Sequence, residues 1–277
     1  MTDSAARLCV LSSSSSGNCS VVRARDAAGV ERTILVDAGL SPRRTRILLT
    51  EIGLSGVVPD AVVLTHLDID HWNPGWVAAM PETTTVFIHR RHRARAERSG
   101  KAYLRTGVFD GEFEPLPGIR AKSVLLGHDD LGCAAFRFEF VCGASLGYVT
   151  DAGAPTPEMC DHVAGVDVLA IESNYCPAMQ LASSRPDFLK HRIMGGKGHL
   201  SNAQSAAAVG RIGPRSDVVL LHLSRQCNTP DAARREHAGC PRRLTIAGHD
   251  APTPWVPIVP GESPELKVVR YQGVLWG

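Results

Sequence analysis

The sequence predicts an α/β fold in which a single layered domain occupies residues 1–277. Short apolar segments of strand character alternate with helical segments, and no composition break is long enough for a linker. A chain of this length often forms one domain when the fold is β-rich and built from two layers. Several predicted strands also end at a histidine, aspartate or glutamate, so one rim of the fold can collect a site from distant parts of the chain.

The first elements are a hairpin, a third strand and a helix. Residues 8–11 form an apolar strand, and residues 19–25 return as the second strand. The Ser-Gly-Asn turn between them is favoured because glycine and asparagine tolerate positive φ at low cost. Residues 33–36 form the third strand, which ends at Asp37 before a helical stretch that reaches residue 52.

The central elements flank a polar cluster. Residues 61–64 form an apolar strand that leads into this cluster, and residues 83–89 form the next strand. An arginine-rich helix covers residues 90–98, and a strand at residues 123–126 ends near His128.

Strands and one further helix make up the remainder. Strands are predicted at residues 133–140, 146–150, 166–171 and 218–221, and the helix at residues 203–209. Three of the strands lead directly to Asp151, Glu172 and His222.

The polar cluster places four potential metal ligands within six residues, directly after an apolar strand. His66, Asp68 and Asp70 recur at every second position and His71 follows, so imidazole and carboxylate groups can converge on one or two cations. The alternative is a strand-to-helix turn in which an aspartate caps the helix. A solvated turn seldom needs this density of ligand types, so the cluster predicts a metal site.

Composition limits the remaining possibilities. The chain has 44% hydrophobic and 21% charged residues, and no apolar run approaches the roughly 20 residues that cross a bilayer. No basic segment followed by an apolar one opens the sequence, so we expect a cytoplasmic protein with no membrane span. The eight cysteines include no C-x-x-C pair, which disfavours a structural zinc site or a redox motif.

Charge is the weakest indicator of a partner. A net charge of +2 does not by itself indicate a nucleic-acid binder. Five arginines nevertheless cluster in the helix at residues 90–98, and a solvated helix face is the more frequent explanation for such a run. If the substrate is a nucleic acid, this helix is the candidate track for its phosphates.

With these residues assembled, the chain resembles the metallo-β-lactamase-fold hydrolases, whose motif H-x-H-x-D-H stands here as His66-x-Asp68-x-Asp70-His71. More closely it resembles the WalJ (YycJ) family of phosphodiesterases and exonucleases. The shared segments are SSGNC at residues 15–19, LVDAGL at 35–40, GHD at 127–129, YVTD at 148–151, IESNY at 171–175, GHLSN at 198–202, LHLS at 221–224 and NTP at 228–230. They follow the family's order from about residue 8 to residue 232, and the remaining tail matches little.

The resemblance implies a four-layer αββα sandwich with two divalent metal ions, Zn²⁺ or Mn²⁺, at one rim. It implies seven ligands, with His66, Asp68 and His128 for the first metal, Asp70, His71 and His222 for the second, and Asp151 as the bridge. Asp37 would support the loop at residues 66–71, called the metal loop below, without binding a metal.

The resemblance also implies a metal-dependent hydrolase, and most directly a phosphodiesterase or nuclease that uses a metal-bound hydroxide. Asp70 would position or deprotonate this nucleophile. His199 fits a histidine that protonates the leaving group, and Glu172 would orient it. Alternatively, His199 has only a structural role, in the N-terminal turn of the helix at residues 203–209. The partner would be a phosphodiester substrate, with single-stranded nucleic acid as one candidate.

Position 68 departs from the family pattern, because Asp68 stands where the family has a histidine. A third carboxylate would lower the positive charge of a two-metal site and favour harder ions such as Mn²⁺. The shorter side chain could instead leave the first metal loosely held or absent.

Two other functional classes stay open. A hydrolase of a small ester, lactone or cyclic phosphate would have a closed pocket lined by residues such as Trp72, Trp76 and Tyr175. A catalytically silent relative would use the fold for binding, since one scaffold hosts many chemistries.

Overall fold

Two mixed β-sheets form the centre of the computed structural model, which describes residues 6–128 and 130–261. The first sheet contains β1 (Ala6–Ser12), β2 (Cys19–Arg25), β3 (Glu31–Val36), β4 (Ala61–Val63), β5 (Thr85–His89), β6 (Thr106–Phe109) and β14 (Val256–Ile258). The second contains β7 (Glu112–Leu116), β8 (Ile119–Leu126), β9 (Cys133–Glu139), β10 (Ser145–Val149), β11 (Val168–Glu172), β12 (Asp217–Leu221) and β13 (Arg243–Ile246). Asp129 of the GHD segment lies outside the described residues.

The strand orders are β14-β1-β2-β3-β4-β5-β6 and β13-β12-β11-β10-β9-β8-β7. The helices are α1 (Pro42–Glu51), α2 (Trp76–Ala79), α3 (Arg90–Arg98), α4 (Pro157–His162), α5 (Pro177–Ala182), α6 (Asp187–Met194), α7 (Asn202–Ile212) and α8 (Pro230–Glu236). In the part of the chain that the structure describes, no helix has the length and apolar character needed to cross a membrane.

Successive side chains of each strand point to opposite faces of its sheet, and this alternation produces the layers. Leu8 and Val10 of β1 belong to the core between the sheets, whereas Cys9 and Leu11 belong to the core that includes residues of α1 and α3. The second sheet behaves in the same way, and residues of α4 and α7 share a core with its outer face. Helices therefore cover the outer face of each sheet, which confirms the predicted αββα sandwich.

Parallel pairing creates the functional rim. Strands β3, β4, β5 and β6 pair in parallel in the first sheet, and β10, β11, β12 and β13 do so in the second. Because the carboxyl ends of parallel strands meet at one edge, the segments that follow β3 and β4 lie together, as do those that follow β10, β11 and β12. These are the segments in which the sequence predicted site residues.

Four strands of the described chain were not predicted from the sequence, and all four lie at sheet edges. Strands β6 and β14 end the first sheet, and β7 and β13 end the second. Edge strands have one unpaired side and weaker apolar alternation, and both β7 and β14 contain a proline, which central strands exclude. Strands β13 and β14 come from the tail that matched little, so this tail completes one edge of each sheet.

Candidate metal centre at the rim of the sheets

Three strand ends carry a residue in the left-handed backbone region. Asp37 follows β3, Asp151 lies two residues after β10 and His222 follows β12, with φ of 60°, 49° and 56°. Aspartate and histidine are among the residue types that adopt this region more often than most. Such conformations carry a cost of order 1–3 kcal/mol and cluster at functional sites.

The seven predicted ligands lie together at this rim. They form three overlapping groups in which the potential ligand atoms are within 4.8 Å of one another. The groups are His66, Asp68 and His128; His66, His71 and Asp151; and Asp70, His71 and His222. The first and third groups correspond to the two ligand sets expected from the family resemblance. A fourth group joins Asp151, Glu172, His199 and His222.

Asp151 lies between the two ligand sets. Its Oδ2 is 2.9 Å from Nε2 of His71, and its Oδ1 is 3.5 Å from Nδ1 of His222 and 4.0 Å from Nε2 of His128. One carboxylate therefore faces histidines from both sets, which is the arrangement that a bridging ligand requires.

The donor set fits divalent cations. Nε2 of His222 is buried and has no hydrogen-bond partner among the described residues. Oδ2 of Asp70 lies 3.6 Å from this nitrogen and 3.6 Å from Nε2 of His71, too far for hydrogen bonds. A cation held by Asp70 and His222 would give Nε2 of His222 a partner, and mixed imidazole and carboxylate donors suit Zn²⁺ and Mn²⁺.

The carboxylates hold protons on two of the imidazoles. Burial alone would lower the pKa of His71, but Asp151 and Asp37 raise this pKa well above its usual value. Burial likewise opposes protonation of His222, whereas Asp151 and Asp70 raise its pKa to about 10. Because metal ligands must be deprotonated, cations compete with these protons, and metal binding is expected to release them.

Asp37 supports the metal loop from beneath. Its carboxylate is fully buried and accepts hydrogen bonds from the amide and hydroxyl of Thr65 at 2.8 and 2.9 Å, and from Nδ1 of His71 at 2.8 Å. Burial raises the pKa of Asp37, although His71 and Thr65 act in the opposite direction. This geometry suits the predicted supporting role, because a fixed Nδ1–H leaves Nε2 of His71 to face the other ligands.

Asn18 is a supporting residue that sequence reasoning missed. Its amide donates to the carbonyl of Asp70 at 2.7 Å, and its side-chain nitrogen lies 3.0 Å from Nε2 of His71. The turn around it was singled out, but a contact across more than fifty residues leaves no local pattern. The shared SSGNC segment was the one available signal.

Gly39 allows the turn after β3 to touch the metal loop. A Cβ at this position would lie 1.7 Å from the carbonyl oxygen of Asp70 and 2.8 Å from the amide nitrogen of His71. We therefore expect Gly39→Ala to lower the free energy of unfolding by about 3 kcal/mol or more and to weaken divalent-metal binding. Both quantities can be measured by urea unfolding and metal titration.

Gly210→Ala is the matched control for this variant. An added Cβ at Gly210 in α7 meets no atom within 4 Å, so alanine should stabilise the helix by roughly 0.5–1 kcal/mol. Equal unfolding midpoints for the two variants would show that the backbone contact at Gly39 is unimportant.

Asp68 is paired with an arginine of α3. Its Oδ1 accepts a hydrogen bond from Arg95 at 2.9 Å, and its Oδ2 lies 3.8 Å from Nε2 of His66. Arg95 therefore offsets part of the added negative charge, while one oxygen stays beside the first ligand set. Elsewhere in α3, Arg90 pairs with Asp110 and Arg93 with Glu97.

A cavity of about 670 Å³ opens over the ligands. Its cationic lining is Arg185, Arg192 and Lys197, in and around α6. No arginine of α3 is among the lining residues in the described part of the chain. The described cavity wall therefore does not include the phosphate track that was considered at α3 as the alternative to a solvated helix face, and three arginines of α3 pair with carboxylates.

The residues expected for a closed small-ester pocket lie elsewhere. Trp72 and Trp76 are buried in the core beneath α1, and Tyr175 is buried in a small core with Cys227. Within residues 6–128 and 130–261, none of these rings lines the cavity.

His199 and Glu172 form a hydrogen-bonded pair at the cavity. Nδ1 of His199 is 2.6 Å from Oε1 of Glu172, whose Oε2 accepts from the amides of Ala152 and Leu200 at 3.0 and 3.2 Å. Burial would raise the pKa of Glu172, but His199 lowers it below its usual value. Ser201 is the N-cap of α7, so this helix does not need His199 as its cap.

Sequence comparison identifies relatives. Residues 32–223 match a family described as the beta-lactamase superfamily domain. Exodeoxyribonuclease WalJ of Streptococcus pneumoniae serotype 2 is 30% identical over 236 residues, which cover 81% of this chain and 84% of that protein. Exodeoxyribonuclease YycJ of Bacillus anthracis is 26% identical over 230 residues, covering 81% and 85%.

Solved structures share the fold. The metallo-beta-lactamase fold protein YhfI from Bacillus subtilis has a TM-score of 0.67 and 15% identity, and the match covers 89% of this chain and 98% of that one. A diphosphatase from the PhnP family has a TM-score of 0.64 and 16% identity, with 92% and 98% covered. The sequence matches show that the chain belongs to the beta-lactamase superfamily and, within it, to the WalJ family.

Proposed function

We propose that this protein is a metal-dependent phosphodiesterase that removes nucleotides from DNA ends, with a single strand as its substrate. One observation carries the proposal: a single open cavity joins both ligand sets, His199 and three cationic side chains. A phosphodiester needs the metal ligands, the histidine and the cationic side chains together, because it carries negative charge and releases an alkoxide when it is hydrolysed. The names of the WalJ and YycJ relatives support DNA and attack at an end.

Two divalent cations, Zn²⁺ or Mn²⁺, are assigned to the two ligand sets. His66, Asp68 and His128 would hold one, Asp70, His71 and His222 the other, and Asp151 would contact both. When bound, such cations supply a water of lowered pKa and stabilise negative charge on phosphoryl oxygens.

The chain's own groups would position the reactants and move protons. Asp70 would orient the attacking water or take its proton, since its Oδ2 faces histidines of the second set. His199 would donate a proton to the departing oxygen of the sugar. Glu172, hydrogen-bonded to Nδ1 of His199, would hold the ring in place and stabilise its positive charge.

The Asp68–Arg95 pair would set the metal preference. Arg95 takes one oxygen of Asp68, so the other remains as a single, harder donor beside His66. We expect two equivalents of bound metal and at least as much hydrolysis of bis-(p-nitrophenyl) phosphate with Mn²⁺ as with Zn²⁺. Asp68→His should shift the preference towards Zn²⁺, as measured by turnover and competitive metal titration.

Asp161→His is the control, because it adds a histidine on α4, away from the rim, and should leave the preference unchanged. Fewer than one tightly bound ion per chain, together with no hydrolysis under Mn²⁺, would falsify the proposal.

A panel of 5′-phosphorylated single strands, duplexes, cyclic phosphates and lactones then tests the substrate class. Turnover confined to lactones or cyclic phosphates would exclude a DNA exonuclease.

A further inference from the structure

A second, smaller cavity beside the metal cavity is lined by cationic and neutral polar side chains. Its volume is about 490 Å³, and its lining residues are Ser15, Ser16, Arg185, Arg225 and Gln226. In the part of the chain that the structure describes, neither a carboxylate nor an apolar side chain lines it. Ser15, Arg185 and Gln226 also line the metal cavity, so the two cavities adjoin.

Neutral acceptors hold the guanidinium of Arg185 in place. Its Nε donates to the side-chain oxygen of Gln226 at 3.0 Å, and its two terminal nitrogens donate to Gln180 at 3.1 Å and to Ser224 at 3.3 Å. Because a guanidinium has five N–H donors, each terminal nitrogen keeps one donor for a ligand. The side chain is therefore ordered before an anion binds, which lowers the entropy lost on binding.

Arg225 adds a second positive charge to this cavity. Its Nη1 donates to the hydroxyl of Ser16 at 3.4 Å, again a neutral partner. Among the described residues, no carboxylate forms an ion pair with Arg185 or with Arg225. Two uncancelled charges beside two serine hydroxyls favour a doubly charged anion with several oxygen atoms.

The walls of the second cavity are tied to the metal centre. The turn between β1 and β2 supplies its serines, and in this turn the hydroxyl of Ser13 accepts from the amide of His222 at 2.8 Å. Asn18 of the same turn contacts the metal loop, as described above. Arg225 lies three residues after His222 in the chain. An anion in the second cavity is therefore held at a fixed position relative to the metal ligands.

We infer that the second cavity binds the terminal phosphate monoester of a DNA strand. A terminal phosphate carries a charge of about −1.5 to −2 at pH 7 and three free oxygens, whereas an internal linkage carries a single charge and two free oxygens. Arg185 and Arg225 therefore favour the end of a strand over its interior, and a linkage near that end reaches the metal ligands. This inference rests on the proposed function, since it assigns recognition of the end of the same substrate. It applies equally to a free strand and to a duplex.

The test compares phosphorothioate-linked strands that carry an internal fluorophore and differ only at their ends. Fluorescence anisotropy of metal-loaded, full-length protein measures binding of strands with a 5′-phosphate, a 3′-phosphate or two hydroxyl ends, both single-stranded and in a blunt duplex. One of the two phosphates should strengthen binding by the wild type about tenfold or more, and the end that does so is the source of the bound phosphate. Arg225→Gln should bring this ratio of affinities close to one, and Arg225→Lys, which keeps the charge, should restore part of it.

Two control variants separate recognition of the end from general attraction of DNA. Arg192 lines the metal cavity and is not among the described residues that line the second one, so Arg192→Gln should weaken binding of every strand and leave the ratio unchanged. Arg211→Gln removes an exposed cation in the last turn of α7 and should alter neither quantity. Equal affinity of the wild type for phosphorylated and hydroxyl ends would overturn the inference. So would an Arg225→Gln variant that keeps the wild-type ratio.

Failure of the inference can be told from failure of the proposed function. Hydrolysis of bis-(p-nitrophenyl) phosphate by the wild type tests the metal chemistry alone, because this small substrate has no terminal phosphate. A wild type that hydrolyses it but binds phosphorylated and hydroxyl ends equally overturns only the inference. A wild type that prefers a phosphorylated end through Arg225 but cleaves no phosphodiester overturns only the proposed function.

Discussion

His199→Ala is expected to reduce hydrolysis of a DNA strand by about 10²–10⁴-fold while the bound metal content stays at the wild-type level. The reason is chemical: a sugar alkoxide is a poor leaving group and needs a proton as it departs. The imidazole of His199 lines the cavity and is held by Glu172 at 2.6 Å, so it can deliver that proton. Steady-state turnover and metal analysis of the same preparation measure both quantities.

A second substrate sharpens this prediction. The p-nitrophenolate group leaves without protonation, so His199→Ala should reduce hydrolysis of bis-(p-nitrophenyl) phosphate far less than hydrolysis of DNA. His162→Ala, which removes a partly buried histidine of α4, is the control and should affect neither substrate. Loss of bound metal in His199→Ala would make His199 a ligand, in line with its grouping with Asp151 and His222. Unchanged DNA turnover in the His199→Ala variant would mean that His199 has only a structural role.

Asp37→Ala is expected to lower the free energy of unfolding by about 3–5 kcal/mol, because it removes one partner of a fully buried pair and leaves Nδ1 of His71 without its carboxylate partner. The amide and hydroxyl of Thr65 lose their acceptor at the same time. Without this support the ring of His71 can rotate, and metal affinity should fall about 10–100-fold. Urea unfolding of metal-free protein and metal titration measure the two effects.

Asp26→Ala provides the comparison. Asp26 is also buried, and it accepts from Arg32 and from the amides of Ala28 and Val30 in the turn between β2 and β3. Its loss should destabilise this turn without changing metal affinity. If Asp37→Ala binds metal as tightly as Asp26→Ala does, the buried carboxylate contributes to folding and not to the metal centre.

The sequence predicted the interior of the fold better than its borders. Strands such as β3, β10 and β12 were found because buried strands are short apolar runs with polar residues at their ends. The edge strands were missed because half-exposed segments resemble loops. The order of shared segments identified the family, which the comparisons confirm. The ligand roles of the seven grouped residues remain predictions.

For the arginine run in α3, the sequence favoured a solvated helix face and kept a phosphate track as the alternative. The run of arginines in α3 drew attention because it is dense, yet Arg90, Arg93 and Arg95 each pair with a carboxylate. Arg185 and Lys197 are isolated in the sequence and form no run, and only folding brings them to one wall. The pairing of Asp68 with Arg95 was equally invisible, because 27 residues separate the two and no short-range pattern links them.

The left-handed residues at the strand ends have a consequence for mutagenesis. At Asp37, Asp151 and His222 the side chain and the backbone turn are selected together, since few residue types adopt positive φ easily. An alanine scan at these positions changes the turn and the functional group at once, and it will overstate the role of the carboxylate or imidazole. Asparagine tolerates the same backbone, so Asp37→Asn and Asp151→Asn separate loss of charge from loss of shape. Selection from a randomised library should accordingly return asparagine or glycine at these positions before any β-branched residue.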